Sequence, residues 1–80
     1  MPILTRRPIS GARLRALRVR REMSQSDLAK QCKEQGQSVT QGQISHLEQG
    51  YSRRPYMPLL RALAKSLDVD VDDLLEEPTQ

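Results

Sequence analysis

An all-helical domain is predicted by two features of this 80-residue chain. Apolar residues recur with the helical period, and Ser24 and Thr40 stand where helix caps belong. Nowhere do Val, Ile or Thr alternate with polar residues long enough for a strand. Eighty residues make one domain at most, because a chain of this length buries only about 60% of its unfolded surface.

The first helix is expected from near Ser10 to about Glu22. Leu14 and Leu17 face inward, while Arg13, Arg15, Arg18, Arg20 and Arg21 load the remaining surface. Its apolar stripe is too thin, and too poor in aromatic anchors, for a membrane-surface helix. Ser24-Gln25-Ser26-Asp27 is a capping-box-like start for a second helix, whose inner stripe is Leu28, Ala29 and Cys32. Gly36 ends it, since a left-handed residue costs Gly little. Thr40 caps a third helix with Gln43 as its box partner. Val39 packs back as a staple, and Ile44 and Leu47 turn inward. Gln41, Gly42, Gln43, Ser45 and His46 then point largely outward, and Gly50 closes the helix. Pro55 forbids helix just before it. The fourth helix has the cleanest period, with Leu60, Leu63, Ala64 and Leu67 at i, i+3, i+4 and i+7. Val71, Leu74 and Leu75 are read as a short fifth helix, stopped by Pro78. The expected layout is an arm over 1–9, a domain over 10–77 and a tail over 78–80.

Charge is divided along the chain. Residues 1–54 hold 11 Lys and Arg against 4 Asp and Glu, whereas residues 55–80 hold 2 against 6. A basic front and an acidic back suit a protein steered onto a polyanion. One Cys and one His close neither a disulfide nor a four-ligand zinc site, so no cofactor or metal is expected. The segment MPILTRRPIS carries Arg6, Arg7 and Pro8 where a signal peptide would have its apolar run, and no stretch approaches about 18 apolar residues. A soluble, cytoplasmic and nucleoid-associated protein is expected, with no membrane partner. Enzymatic activity is not expected either: the carboxyl-terminal acids have no His, Lys or Gly-rich loop beside them for acid–base or phosphate chemistry.

Two short helices joined by a Gly-containing turn, the second exposing amide and small side chains, describe a helix-turn-helix unit. A Gln amide offers a donor and an acceptor in one plane, matching N6 and N7 of adenine in the major groove. Gln41, Gly42, Gln43 and His46 are therefore the candidate base-reading positions. A helical Gly costs about 1 kcal/mol relative to Ala, so Gly42 implies close approach of the backbone to DNA or to Gln25. Single-stranded RNA is disfavoured, because Tyr51 and Tyr56 are the only aromatic platforms.

Ordered pieces over most of the chain resemble the lambdoid phage repressor and xenobiotic-response-element (Cro/C1-type) helix-turn-helix domains. They run Gly11-x-x-Leu14-x-x-Leu17-Arg18, Met23-Ser24-Gln25-Ser26-Asp27-Leu28-Ala29 and Val39-Thr40-Gln41-Gly42-Gln43-Ile44-Ser45-His46-Leu47-Glu48-Gln49-Gly50. Arg54-Pro55, Leu60-x-x-Leu63-Ala64-x-x-Leu67 and Val69-x-Val71-x-x-Leu74-Leu75 complete the series. The resemblance implies a compact five-helix, lambda-repressor-like fold. It departs from the family between Ala29 and Ile44, where Lys33-Glu34-Gln35-Gly36-Gln37 are extra and lengthen the turn between helices 2 and 3.

By the same resemblance, Gln25, Thr40, Ser45, Arg53, Arg54 and Tyr56 are the DNA-backbone positions, and Arg18 and Glu48 form a structural ion pair between the first and third helices. It also implies a transcription regulator, more specifically a repressor, bound as a homodimer to double-stranded DNA at a palindromic operator. The dimer surface would lie around Val69 to Asp73. The alternative it carries is an antitoxin that binds a protein toxin and its own operator. Arg6 and Arg7 either follow the minor groove or a phosphate, or belong to a loose end.

Overall fold

Hydroxyl caps set the first three helix starts. Ser10 Oγ accepts from Arg13 N at 3.1 Å and opens α1, Gly11–Arg20. Ser24 and Asp27 close a reciprocal capping box at the head of α2, Gln25–Glu34, with bonds of 2.9 and 3.0 Å. Thr40 and Gln43 do the same for α3, Gln41–Gln49, at 3.1 and 2.8 Å. Each box satisfies backbone groups that a helix end leaves without partners. α4, Met57–Leu67, has no side-chain cap but carries Pro58 in its first turn, where a missing N–H is harmless. The computed structural model describes residues 7–52 and 54–77.

α4 is the apolar spine. It contributes Leu59, Leu60, Ala62, Leu63, Ala64 and Leu67 to a core completed by Leu14, Leu28, Ala29, Cys32, Ile44, Leu47, Leu74 and Leu75. Cys32 is fully buried, and burial pushes its thiol above the ordinary range, so it packs as a small apolar residue. Between α2 and α3 lies a six-residue connection whose Gly36 sits at φ +84°, and the Gln37 N–H closes back on the Cys32 carbonyl. Among the described residues, no helix is long and apolar enough to cross a membrane.

Among the described residues there are four α-helices, and the stretch expected as a short fifth helix is not a fifth α-helix. The last element is a 3-10 turn of four residues, Val71–Leu74. It cannot continue as a helix because Leu75 turns extended (φ −97°, ψ 152°) to make an antiparallel bridge with Ile9. Ser10 N donates to Leu74 O at 2.7 Å and Glu76 N to Pro8 O at 2.9 Å, while Arg13 Nη1 reaches Leu75 O at 2.6 Å. The packed region therefore begins before Ser10: Ile9 is 2% exposed, and Arg7 pairs with Asp72. For Arg7, neither a groove-seeking arm nor a loose end describes this placement; Arg6 lies outside the described residues.

α1 and α3 make a close backbone contact. Gly11 lies so close to the end of α3 that a Cβ there would stand 2.6 Å from the Leu47 carbonyl oxygen and 2.8 Å from the Glu48 carbonyl carbon. These are backbone atoms and cannot swing aside. The positive start of α1 thereby rests on the negative end of α3.

Replacing Gly11 with Ala should destabilise the fold by about 1–3 kcal/mol, the usual range for overpacking. Urea unfolding would show it as a lowered midpoint with little change in slope. An unaltered midpoint would mean that α1 and α3 do not approach this closely.

Candidate nucleic-acid interface

α3 has one buried and one open side. Ile44 and Leu47 are 0% and 2% exposed, while Gln41, Gly42, Gln43, His46 and Gln49 are exposed and Ser45 is half-buried. Gln41 and Gln25, the first residues of α3 and α2, are joined by a 2.6 Å bond, so the two helix starts are neighbours. Two adjacent N-termini present unpaired backbone donors and partial positive charge to the same region, which favours an anion there.

Several of these polar groups are already engaged. Gln43 Oε1 accepts from the Thr40 N–H, so the cap engages its oxygen and not its NH2 group. The Thr40 hydroxyl accepts from Gln43 N. Ser45 Oγ accepts from Gln49 Nε2 at 2.7 Å, a contact of i and i+4 on the helix. His46 meets Tyr51 edge to face, with ring centroids 5.6 Å apart and planes at 81°. Its carbonyl also receives the Tyr51 N–H at 3.0 Å, closing α3 beyond Gly50, which sits at φ +85°. Tyr56 accepts a bond from Gln37 Nε2. Arg54 and Tyr56, with Gln43, His46 and Ser52, line a concavity of about 480 Å³ beside α3. The structure thus brings the two loop positions against the open side of α3. Arg53 lies outside the described residues.

Behind this surface, Arg18 Nε and Nη2 hold Glu48 at 2.5 and 3.0 Å, with side chains only 11% and 4% exposed. Arg18 Nη1 also donates to Met23 O at 2.7 Å, and Gln25 Nε2 donates to Glu48 Oε1 at 3.0 Å. Breaking such a pair by removing one partner costs about 3–5 kcal/mol when burial is deep. Burial alone would raise the Glu48 carboxyl. Hydrogen bonds from Arg18 and Gln25 and the charges of Arg18 and Arg15 outweigh it, so Glu48 ends below the usual carboxylate range. Asp27 is also lowered, by its bonds to Ser24.

Gly42 is freer than its sequence suggests. A Cβ there would meet only Thr40 Oγ1, at 3.9 Å, so Gln25 does not require this glycine. The basic front is also less open than the charge division implied. Arg7, Arg13 and Arg21 face Asp72, Glu77 and Asp68 of the acidic back. Three residues with no role assigned from sequence enter the picture. Gln49 was reachable through its i, i+4 spacing from Ser45. Gln37 and Gly11 were not, because their partners Tyr56 and Glu48 lie far along the chain.

A family model described as a helix-turn-helix domain matches residues 11–77. The chain belongs to the helix-turn-helix family. Among solved structures it is similar to the P22 c2 repressor protein, crystallised in complex with synthetic operator 9T in the presence of Tl+. That similarity has 32% identity and a TM-score of 0.72, covering 82% of this chain and 91% of the repressor chain. No curated protein gives a significant match.

Two outcomes follow for the helix-turn-helix surface. Gly42→Ala should raise thermal stability, by up to about 1 kcal/mol, because the Cβ fits and helix propensity improves. If Gly42 lies against a ligand's backbone, the same variant should lose affinity for that ligand. A gain in both would remove Gly42 from the interface. Because folding lowers Glu48, its contribution to stability is complete above the unfolded carboxylate range and lost as pH falls through the lower folded value. The stability gap between wild type and Glu48→Gln should therefore narrow below about pH 4, the usual Glu range. A gap that holds steady into acid would contradict the ion pair.

Proposed function

We propose that this chain is a sequence-specific, double-stranded DNA-binding transcription regulator, with repression as its mode. The observation that carries the reading is the open amide face of α3, set beside the adjoining N-termini of α2 and α3. Likeness to a repressor crystallised with an operator supports it. On this reading Gln41, Gly42, Gln43 and His46 approach base edges, while Gln25, Thr40, Ser45, Arg53, Arg54 and Tyr56 meet the sugar–phosphate backbone. Gln43, with its oxygen held by the cap, acts as a donor to base acceptors and not as a two-point adenine reader. The function is binding, without catalysis, in a soluble, nucleoid-associated protein.

A homodimer on a palindromic site accompanies the proposal, with α3 helices repeating about 34–36 Å apart. The stretch from Val69 to Asp73 is its proposed surface. Two of the three acids there have partners within the chain: Asp72 pairs with Arg7, and Asp73 accepts from the Asp70 N–H at 3.1 Å. That lowers the repulsion two copies would feel.

Selecting bound duplexes from a randomised pool tests the function directly, since enrichment of one half-site sequence in inverted pairs is the expected result. On the recovered duplex, Arg54→Ala should weaken specific and random DNA alike and flatten the slope of log affinity against log salt by about one unit. No enrichment and no salt-dependent binding would end the proposal.

A further inference from the structure

Residues 33–37, extra by sequence at the end of α2, make contacts with two other parts of the chain. Gly36, at φ +84°, turns the backbone, and the Gly36 and Gln37 N–H groups close on the Lys33 and Cys32 carbonyls at 2.9 and 3.0 Å. Gln35 ties the same turn to α4, with its Nε2 donating to Ser66 Oγ at 2.5 Å and to Ala62 O at 3.4 Å. Gln37 is half-buried, so its side chain leaves a turn held from two directions, and its Nε2 donates to the Tyr56 hydroxyl oxygen. Tyr56 is 56% exposed and stands just ahead of α4, its carbonyl accepting from Leu59 N and Leu60 N at 3.1 Å each. It lines the concavity beside α3 with Gln43, His46 and Arg54. The direction of the Gln37 bond decides where the phenolic proton goes. An NH2 group only donates, so the Tyr56 oxygen gives Gln37 a lone pair and keeps its own O–H for another acceptor.

We propose that Gln37 is a positioning residue, which orients the Tyr56 hydroxyl as a hydrogen-bond donor toward a phosphate of the DNA backbone. This rests on Tyr56 meeting that backbone, as proposed above. A phosphate oxygen only accepts, so a phenol assists only when its proton faces the phosphate. An unrestrained hydroxyl rotates about its C–O bond and spreads its proton among several directions. The Gln37 NH2 group closes the inward one. A phenol that accepts one bond while donating another is also the stronger donor, because bonds in a chain polarise each other. Tyr56 carries no charge, so its contact holds a phosphate without releasing a counterion, unlike that of Arg54. The lengthened turn thus belongs to the backbone grip, linking the end of the first motif helix to the loop after the second.

The test uses the full chain and a duplex recovered from a randomised pool, with affinity measured over a range of salt. Tyr56→Phe should weaken binding about tenfold, as expected for one hydrogen bond to a charged group, on specific and random DNA alike. Gln37→Met keeps the length of the side chain and loses the donor; it should weaken binding about threefold to fivefold. In both variants the slope of log affinity against log salt should keep its wild-type value, because no cationic contact is lost. Gln37→Glu reverses the bond: a carboxylate only accepts, so it draws the Tyr56 proton inward and turns a lone pair toward the phosphate. It should cost at least as much as Tyr56→Phe, and more than the same substitution costs in a Tyr56→Phe background. In that background Gln37→Met should change affinity by about twofold at most. If Gln37→Met keeps its full loss there, or flattens the salt slope, Gln37 only props the loop that carries Arg54 and the proposal is overturned. If Tyr56→Phe weakens binding but both Gln37 variants bind like wild type, the hydroxyl orients unaided and the proposal is equally wrong. If Tyr56→Phe binds like wild type while Arg54→Ala does not, Tyr56 leaves the backbone contacts and takes Gln37 with it, and the DNA-binding reading stands.

Discussion

The position of α3 depends on how α1 is seated against it. At one point the contact is steric: Gly11 has no side chain, so the first turn of α1 settles on the carbonyls of Leu47 and Glu48. At the next it is electrostatic, since Arg18 on the far part of α1 grips the carboxylate of Glu48 on the last turn of α3. Between them these contacts fix both the separation and the rotation of the two helices. A rod held only by Ile44 and Leu47 could roll about its axis, because a two-residue apolar stripe tolerates slight rotation. The bidentate guanidinium–carboxylate pair does not, since its geometry is directional.

The same pair explains why polar groups can gather at the start of α3 without disorder. Gln25 is half-buried and needs partners for its amide. It finds an acceptor in Glu48 and a donor in Gln41, so each end of the amide is satisfied in one orientation only. Capping boxes serve a similar purpose at the backbone level, tying Thr40 to Gln43 and Ser24 to Asp27. Such interlocking converts a flexible glutamine surface into one with defined donors and acceptors. Binding then loses less rotamer freedom, which is the physical content of preorganisation.

The remote side of the molecule is organised by a different means. The two ends of the domain are drawn together by the Ile9–Leu75 bridge and by Arg13 on the Leu75 carbonyl. The accompanying pairs of Arg7, Arg13 and Arg21 with acidic partners are largely exposed and individually weak, at about 0–1 kcal/mol each. Their consequence is mainly one of field. They set acidic partners beside three arginines, one on α1 and one on either side of it.

Local chemistry was legible without coordinates wherever one turn of chain contains both partners. Ser24 with Asp27 and Thr40 with Gln43 lie three residues apart, and the leucines of α4 declare their own period, so helix starts and inward faces could be read directly. Contacts closed by folding could not. Ile9 belongs to the core only because Leu75 comes back beside it, and that extended pairing is also what reduces the expected fifth helix to a single 3-10 turn. Gly42, read from sequence as a close approach to DNA or to Gln25, is not required by Gln25, because a Cβ there would meet only Thr40 Oγ1. The pairing of Arg18 with Glu48 was expected from family likeness, but its extension through Gln25 to Gln41 depends on side-chain directions that emerge when three helices are packed. A sequence specifies which groups can donate and accept; only the packed chain decides which of them meet.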